Sequence, residues 1–327
     1  MADVTPDFSV IEDAVRMACR APSLHNSQPW RWLAEGSTLH LFADLTQVMT
    51  AADPEGREIY LSCGAALDHL TVAMNAAGWQ TTVQRFPDLH DPLHVAAIDF
   101  CRAPREVREG SQARAQAIGR RHTDRRPYDA PANWASFEVL LRQTVIPHHV
   151  MFDIVLDGAR PSLAEASRLT ETIRANDPSY AAELSWWTSP FAPSGGVPQA
   201  ALTSTADQVD VKRTFPGAGA DQHTNRAGVD QSKIVVLSTH HEDARLDVLR
   251  CGEALSSVLL ECTVAGLATC TLTHMTELAP SREIVRGLTG QRGMPQLLIR
   301  IGRPISTGAE PAATRRKPLS QVLEFRS

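Results

Sequence analysis

The 327-residue chain lacks the cysteine patterns that hold a structural metal or a disulfide framework. Its six cysteines show no C-x-x-C spacing, which argues against zinc sites and disulfide-stapled folds, and a reducing cytosol is the expected compartment. The net charge of −5 provides no basic field for nucleic acid or an anionic membrane. No apolar run of about 18 residues predicts a membrane span. The N-terminus also lacks the basic and apolar regions of a signal peptide.

Short catalytic signatures are absent as well. The chain has no Walker A loop, no G-x-G-x-x-G, no G-x-S-x-G elbow and no H-E-x-x-H motif. The adjacent pairs His148–His149 and His240–His241 have the wrong spacing for a zinc site, so we interpret them as surface residues and expect no metal. The carboxylates are scattered and no acid–base pair stands out. Polar loops without a nucleophile indicate a protein that takes its chemistry from a bound cofactor.

A long internal repeat organises the chain. Residues 57–78 and 245–266 share the pattern R-x3-L-x-C-G-x-A-L-x9-A-G at an offset of 188 residues. Eight of the 22 aligned positions are identical, whereas composition alone predicts roughly one or two matches. The repeat predicts an internal duplication whose unit is too large for a solenoid. The apolar content of 43% is sufficient for one large domain or two ordinary ones.

Both copies of the repeat predict long buried helices, because neither contains proline and each is apolar on nearly every face. Gly64 and Gly252 lower helix propensity, so we expect the two helices to approach each other closely at these positions. Cys63 and Cys251 are interpreted as small buried apolar residues.

The remaining segments mix helix and strand without strict β-α-β alternation, which favours an α+β fold. Apolar periodicity predicts a helix around Ile11–Ala18 that ends before Pro22, and further helices at Leu163–Arg174 and Ser281–Leu288. Apolar runs predict strands at Leu39–Ala43, Val95–Phe100, Val150–Leu156, Lys233–Ser238 and Gln296–Ile301.

The segment from Asn176 to Gln231 differs in character from the rest of the chain. It is rich in proline and glycine and shows no periodicity apart from a short helix at Ala181–Trp187. A loop of this length is uncommon unless it is functional or disordered. An ordered flap over a site and a disordered insertion are the two interpretations, and Trp186, Trp187 and Phe191 favour the flap.

The loop Ala21–Trp32, with the sequence APSLHNSQPWRW, is the strongest candidate for a binding site. It combines a helix-ending proline, several hydrogen-bonding side chains and two tryptophans. Such a loop presents amide and hydroxyl groups at fixed positions beside a flat apolar wall. This suits a planar ligand with polar edges better than it suits core packing.

Two arginine clusters could hold an anion. Arg120–Tyr128 reads RRHTDRRPY, with four arginines in seven residues, and Arg315–Leu319 reads RRKPL. Guanidinium groups match phosphate oxygens bidentately, and threonine hydroxyls and backbone N–H groups complete such a cradle. The alternative is a solvated basic turn.

These motifs, in this order, resemble those of nitroreductase-family flavoproteins. APSLHNSQPWRW is similar to the family's flavin-contacting P-S-x-x-N-x-Q-P-W loop, and RRHTDRRPYDAP resembles its R-R-S-x-R-x-F motif, which binds the phosphate and ribityl chain of FMN. G-L-A-T-C at Gly266, I-R-I-G-R-P around Gly302 and the Arg315–Arg316 pair match the family's later landmarks. The order and length are most similar to the Acg-type branch, in which two units are fused in one chain.

The resemblance implies an α+β nitroreductase-like fold. Two tandem units, 1–115 and 116–327, would form an intramolecular pseudo-dimer with mixed or antiparallel sheets flanked by helices, and the second unit would carry a lid or insertion at 176–231. It further implies one FMN between the halves, with NAD(P)H as electron donor and a small nitroaromatic or quinone-like acceptor. The cofactor-binding residues that it implies are Pro22, Ser23, His25, Asn26 and Gln28 from the first half, and Arg120, Arg121, Thr123, Arg125, Thr271, Thr273 and Arg316 from the second.

The chain departs from the family pattern at several points. The serine of R-R-S is replaced, and Thr271 and Thr273 stand where the family has proline and glutamate. No R-R-S-like motif precedes residue 10 and no P-S-x-x-N loop follows residue 140, where residues 141–147 lack its polar set. We therefore expect that one FMN site is kept and the other is lost, and that the pseudo-dimer is a monomer.

Three functions remain open from the sequence. The first is an FMN-dependent oxidoreductase, and the second is a flavin-binding or storage protein whose insertion covers the ring and prevents turnover. The third is a degenerate member that binds no flavin and acts through protein contacts. No protein proton donor can be named, because a loop histidine such as His25 is interpreted as a structural hydrogen-bonding residue.

Overall fold

The computed structural model describes residues 5–189, 195–198, 201–202, 209–215, 230–241, 243–305 and 314–326. Over these residues the chain forms two five-stranded sheets and eight α-helices, which confirms the predicted α+β class. None of the described helices has the length and hydropathy needed to cross a membrane. The helices are α1 (Phe8–Ala18), α2 (Arg57–Ala76), α3 (Arg105–Arg120), α4 (Trp134–Val145), α5 (Arg160–Arg174), α6 (Pro178–Trp187), α7 (Arg245–Val264) and α8 (Ala279–Leu288).

The first sheet combines four strands from the N-terminal part of the chain with one strand from its C-terminal end. They are β1 (Trp30–Glu35), β2 (Thr38–Ala43), β3 (Trp79–Arg85), β4 (His94–Arg102) and β10 (Leu323–Arg326). Their order is β10-β1-β2-β4-β3. β10 is parallel to β1, and all other neighbours are antiparallel. The last residues of the chain therefore lie against its first strand.

The second sheet is entirely antiparallel among the described strands. Its order is β5-β9-β7-β6, and β8 also pairs with β9. The long strand β9 is buried along most of its length, so its nearly continuous apolar run fits a central position. The strands are β5 (Tyr128–Asp129), β6 (Met151–Val155), β7 (Lys233–Thr239), β8 (Ala268–Leu272) and β9 (Met294–Pro304).

The two sheets repeat one arrangement. The strands β1-β2-β4-β3 and β6-β7-β9-β8 have the same spatial order and the same antiparallel directions. In each set, a 20-residue helix comes after the second strand in the sequence. This helix is α2 after β2 in the first set and α7 after β7 in the second. The principal difference is the long excursion between β6 and β7, which contains α5 and α6.

The helices α2 and α7 make the closest contact between the two halves. A Cβ atom on Gly64 would lie 2.0 Å from the carbonyl oxygen of Leu249, and one on Gly252 would lie 2.1 Å from that of Leu61. These contacts are reciprocal, because the same 188 residues separate the two glycines and the two leucines. The predicted close approach of the two helices is confirmed. Cys63 and Cys251 are buried beside it, as expected.

Most predicted elements are present with shifted ends, and some were missed. The five predicted strands correspond to β2, β4, β6, β7 and β9, and the predicted helices correspond to α1, α2, α5, α6, α7 and α8. The helices α3 and α4 and the strands β1, β3, β5, β8 and β10 were not predicted. In the 176–231 segment, only residues 176–189, 195–198, 201–202, 209–215 and 230–231 are described, so the part of the flap around Phe191 lies outside the described residues.

Two interpretations from the sequence are wrong. Trp30 and Trp32 are 1% and 0% exposed in the core of the first sheet, so they form no apolar wall beside a ligand. They belong to β1, whose alternation directs both rings to the buried face. His148 is half-buried rather than a surface residue, and its Nε2 lies 3.3 Å from the Ser257 hydroxyl.

Candidate functional site

An open cleft lies where the second sheet meets the start of α2. It has about 880 Å³ of atom-free space, a figure that includes the solvent at its open mouth. Segments that are far apart in the sequence meet here. The cleft is lined by Pro22–His25, by Glu58, Leu61 and Ser62 of α2, by Thr123 and Arg125, by Lys212, Arg213 and Phe215, by Leu255 of α7, by Cys270–Thr273 at the end of β8, and by Leu297 and Arg300 of β9.

The polar loop before β1 has a strained backbone. His25, Asn26 and Gln28 have φ angles of 47°, 60° and 53°, in the left-handed region that non-glycine residues seldom occupy. The Ser23 hydroxyl supports the turn by accepting the backbone N–H of Gln28 at 3.0 Å. Strained backbone of this kind is concentrated at functional sites, where the surrounding structure enforces it.

The loop is fastened to the C-terminal segment. The Gln28 side-chain oxygen accepts the backbone N–H of Lys317 at 2.8 Å, and the Lys317 ammonium donates to the Gln28 carbonyl oxygen at 3.1 Å. The Asn26 amide donates to the carbonyl oxygen of Arg315 at 3.1 Å. Asn26 and Gln28 therefore hold the segment that carries Arg316, and neither is among the residues that line the cleft.

Three arginines meet behind this loop. The Nη2 groups of Arg121 and Arg316 donate to the same carbonyl oxygen, that of Arg20, at 3.0 and 3.2 Å. Arg316 also donates through Nε to the carbonyl oxygen of Cys19 at 2.8 Å. Within the described part of the chain, no carboxylate forms an ion pair with any of the three guanidinium groups. We call Arg20, Arg121 and Arg316 the arginine trio.

The trio is electrostatically suited to an anion. Burial, and then repulsion from Arg20, lowers the pKa of Arg121 to about 10. Burial, followed by Arg121 and Arg20, lowers that of Arg316 to about 9. The Nε of Arg121 is buried without a hydrogen-bond partner among the described residues. A phosphate would relieve the repulsion and provide acceptors for such donors.

The trio adjoins the cleft along two segments of chain. Arg20 precedes Pro22 by two residues, and Arg121 precedes Thr123 by two residues; Pro22 and Thr123 both line the cleft. Thr123 forms a parallel β-bridge with Thr269 of β8, which holds it in place. The trio therefore lies next to the cleft along the chain, although none of its three arginines lines the cleft. Arg120 differs from Arg121, because it is exposed at the end of α3.

A second group of cations lies in the cleft itself. Arg125 lines it, donates to the carbonyl oxygen of Ala201 at 3.1 Å and stacks 5.2 Å above the ring of Phe215. Arg300 is 1% exposed and is neutralised by Asp230, with Nη2 and Nε at 2.8 and 3.2 Å from its carboxylate oxygens. Arg125 has no such carboxylate partner among the described residues, so its positive charge is less compensated than that of Arg300.

Residues 209–215 reach into the cleft from the long excursion between β6 and β7. Arg213 forms an ion pair with Glu277 and donates through Nη1 to the Nε2 atom of His25 at 2.9 Å. Phe215 packs edge-on against His25 with ring centroids 5.8 Å apart. Burial, followed by Arg213 and Arg125, lowers the pKa of His25 well below its usual value. His25 is therefore neutral at physiological pH and accepts a hydrogen bond.

A carboxyl group also faces the cleft at the first turn of α2. Glu58 is 3% exposed, and its Oε1 accepts from the Arg57 Nη2 at 2.7 Å. Its backbone N–H donates to Asp53 at 2.8 Å. Burial raises the pKa of Glu58 to about 7, and Asp53 adds to the shift while Arg57 opposes it.

The structure brings together only part of the predicted set. Seven of the predicted residues line the cleft: Pro22, Ser23, His25, Thr123, Arg125, Thr271 and Thr273. Arg121 and Arg316 form the trio, Asn26 and Gln28 hold the C-terminal segment, and Arg120 is exposed.

Sequence reasoning missed Arg20, Glu58, Arg213 and Arg300. The sequence pattern could have marked two of them as site candidates. Arg300 interrupts the apolar run of β9, and Glu58 lies in the first turn of a helix that is otherwise largely apolar. Arg20 and Arg213 had no such pattern, because nothing local distinguishes them from surface arginines.

The fold and cleft define a two-sheet α+β protein with an internal repeat and an open cleft next to a group of arginines. Sequence comparison identifies the family. The chain is 50% identical over 329 residues to a Mycobacterium tuberculosis protein named "Putative NAD(P)H nitroreductase acg", covering 100% of this chain and 99% of that protein. A second M. tuberculosis protein, "Putative NAD(P)H nitroreductase Rv3131", is 36% identical and is 92% covered. The chain belongs to the Acg-type branch of the nitroreductase family.

Other comparisons add little to this assignment. No family model matches the chain. A nitroreductase structure from Anabaena variabilis has a TM-score of 0.47 at 10% identity and covers 90% of this chain and 73% of that one. An "FMN and NADPH-dependent nitroreductase NfnB" from a Sphingopyxis-type strain has a TM-score of 0.42 at 15% identity, with 65% and 99% covered. The family assignment therefore rests on the full-length relatives.

Proposed function

We propose that the protein is an FMN-dependent oxidoreductase that passes electrons from NAD(P)H to a small nitroaromatic or quinone-like acceptor. The arginine trio carries the proposal. It is a set of three buried or half-buried cations with no carboxylate partner among the described residues, and it lies beside an open, polar cleft. A phosphate at the trio and a planar ring in the cleft fit both features. FMN also agrees with the resemblance of the loop motifs to those of flavoproteins.

The chain's own residues have distinct roles in this proposal. Arg121 and Arg316 hold the phosphate, and Arg20 adds a third positive charge. Thr123, Arg125 and Ser23 lie along the path into the cleft, where a ribityl chain offers hydroxyl groups to polar side chains. Thr271 and Thr273 at the end of β8 lie at the ring end. When bound, FMN supplies the redox chemistry, and the protein binds it, orients it and limits its exposure to water.

A visible spectrum followed by an anaerobic titration tests this function. The purified or reconstituted protein should show an oxidised flavin spectrum with one FMN per chain. NADH or NADPH should bleach it, and a quinone or nitroaromatic should restore it. Protein that stays colourless after reconstitution with FMN would contradict the proposal, and would favour the alternative of a degenerate, flavin-free family member.

A flavin-binding or storage protein is a second candidate, and residues 209–215 favour it. Lys212, Arg213 and Phe215 line the cleft, and Arg213 is anchored by both Glu277 and His25. A segment anchored in this way can exclude nicotinamide or acceptor from the ring. The same titration separates the two functions, because bound flavin that neither nicotinamide bleaches indicates storage.

We further propose that the two halves form a pseudo-dimer with one FMN site and that the chain is a monomer in a reducing cytoplasm. The repeated strand order and the reciprocal glycine contacts support the pseudo-dimer, because they relate the halves as a two-fold axis relates subunits. Six free cysteines suit a reducing compartment. Sedimentation analysis should give the mass of one chain, and a flavin-to-chain ratio near two would contradict the single site.

A further inference from the structure

Glu58 occupies a position between two cavities. It lines the main cleft, and it also lines a smaller cavity whose walls include Gln47, Asp53 and Ile59. Gln47 is half-buried, so the smaller cavity approaches the protein surface. A carboxyl group in such a wall can receive a proton from one side and deliver it to the other.

The charges around Glu58 nearly balance. Arg57 and Arg213 are the cations that face it, and Asp53 and Glu277 are the anions. Arg213 is already paired with Glu277, and Arg57 also donates to the Gln296 carbonyl oxygen at 2.8 Å. With the charges largely cancelled, removal from water decides the protonation state, and it favours the neutral acid.

Asp53, in contrast to Glu58, is stabilised in its ionised form by backbone N–H groups. Its carboxylate accepts the backbone N–H of Glu58 at 2.8 Å at the start of α2, where helix N–H groups favour a negative charge. Of the two buried carboxyl groups, Asp53 is the one that accepts backbone N–H groups at the start of the helix, so it ionises before Glu58. An ionised Asp53 then raises the pKa of Glu58, so the proton resides on the group that faces the cleft.

We propose that Glu58 is the proton donor to the reduced acceptor, with Asp53 behind it keeping it protonated. This inference rests on the proposed function. Two-electron reduction of a quinone to its quinol adds one hydride and one proton. The hydride carries both electrons and comes from NAD(P)H by way of the cofactor. The Glu58 O–H bond breaks as an O–H bond forms on the acceptor, and water in the smaller cavity returns a proton to the carboxylate.

The protonation of Glu58 can be measured without flavin. Infrared difference spectra of the flavin-free protein between about pH 6 and about pH 8 should show the loss of a protonated carboxyl band. In Glu58→Gln the part of the band that is lost near pH 7 should be absent, and only the part from Asp53, with its pKa of about 6, should remain. The part lost near pH 7 should persist in Glu253→Gln, a control that removes a buried, arginine-paired carboxylate of α7 that does not line the cleft. Asp53→Asn should shift the transition to lower pH, because it removes a neighbouring negative charge.

The free energy of unfolding should decrease as pH rises, because Glu58 holds its proton more tightly in the folded chain than in the unfolded one. The pKa of Glu58 is raised from its ordinary 4.5 to about 7 in the folded chain. Its contribution to the free energy of unfolding is therefore fully present below about pH 4.5 and is lost as pH rises through about 7. Glu58→Gln should flatten the decline in stability over this window relative to the parent protein.

Rapid mixing of the FMN-loaded protein completes the test. Glu58→Gln should slow reoxidation by a quinone by roughly 100-fold or more, the usual contribution of a general acid. The rate of reoxidation by ferricyanide, which accepts electrons without protons, should fall far less than the rate with the quinone. Equal losses with both acceptors, or no loss with the quinone, would overturn the role of Glu58. A parent protein that takes no electrons from either nicotinamide would instead remove the proposed function itself.

Discussion

Arg120 and Arg121 are neighbours in the sequence and have opposite environments. Arg120 ends α3 in solvent, while Arg121 turns inward and shares the Arg20 carbonyl oxygen with Arg316. The sequence motif predicted that arginines here bind phosphate, and it could not separate the two. Burial makes the difference, because a cation removed from water without a carboxylate partner is stabilised only by a ligand that brings the negative charge.

The first prediction uses this adjacent pair. Arg121→Ala should weaken FMN binding by roughly 10- to 100-fold, as expected for the loss of a charge-assisted hydrogen bond. Arg120→Ala should leave binding unchanged. Fluorescence titration of the flavin-free protein measures both dissociation constants.

Riboflavin provides the control for this prediction because it lacks the phosphate. Its affinity should be the same in the parent protein and in Arg121→Ala. An equal loss of riboflavin and FMN affinity would mean that Arg121 maintains the fold of the site rather than holding the phosphate.

Among the elements, the crossing of α2 and α7 follows most directly from the sequence. A glycine in each copy of the repeat predicts a close approach, and the structure places backbone atoms of the partner helix where a Cβ would be. The missed elements have weaker patterns. The helix α3 is mostly exposed and polar, so it offers little apolar periodicity, and β1 begins within a segment dominated by polar and proline residues.

The second prediction concerns this helix crossing. Gly64→Ala should lower the free energy of unfolding by about 3 kcal/mol or more, the upper range for overpacking, because the nearest atoms belong to backbone and cannot rotate away. Gly110→Ala is the matched control. It lies within α3, where a Cβ would meet nothing within 4 Å, so it should stabilise the helix by up to about 1 kcal/mol. Denaturant titrations measure both changes, and a Gly64→Ala variant as stable as the parent would contradict the close crossing.

At the scale of the whole molecule, the C-terminal end of the chain returns to the first sheet. Val322 is 2% exposed in the first core, and its carbonyl oxygen accepts the N–H of Trp32 at 2.6 Å. The segment just before it carries Arg316 to the trio and Lys317 to the polar loop. The positions of Arg316 and Lys317 at the site therefore depend on β10, the edge strand of the first sheet that pairs with β1.

The third prediction tests this dependence. A chain ending at Pro318 lacks Val322 and β10, and it should lose roughly 2 kcal/mol or more of stability because the first core loses the packing of Val322. It should also bind FMN more weakly, although none of the removed residues lines the cleft. Thermal unfolding and fluorescence titration measure the two effects. A chain ending at Phe325 keeps Val322 and most of β10 and serves as the control; equal FMN affinity in both shortened chains would contradict the proposed coupling.

The sequence by itself determined the α+β class, the two repeated helices with their crossing point, five of the strands, and the motifs that identify the family. These features depend on local periodicity, on glycine and proline chemistry, and on short runs of residues. Only the tertiary structure decided that Arg20 completes the trio, that Asn26 and Gln28 hold the C-terminal segment, and that burial raises the pKa of Glu58. Burial and electrostatic balance depend on neighbours more than a hundred residues away, and no local pattern encodes them.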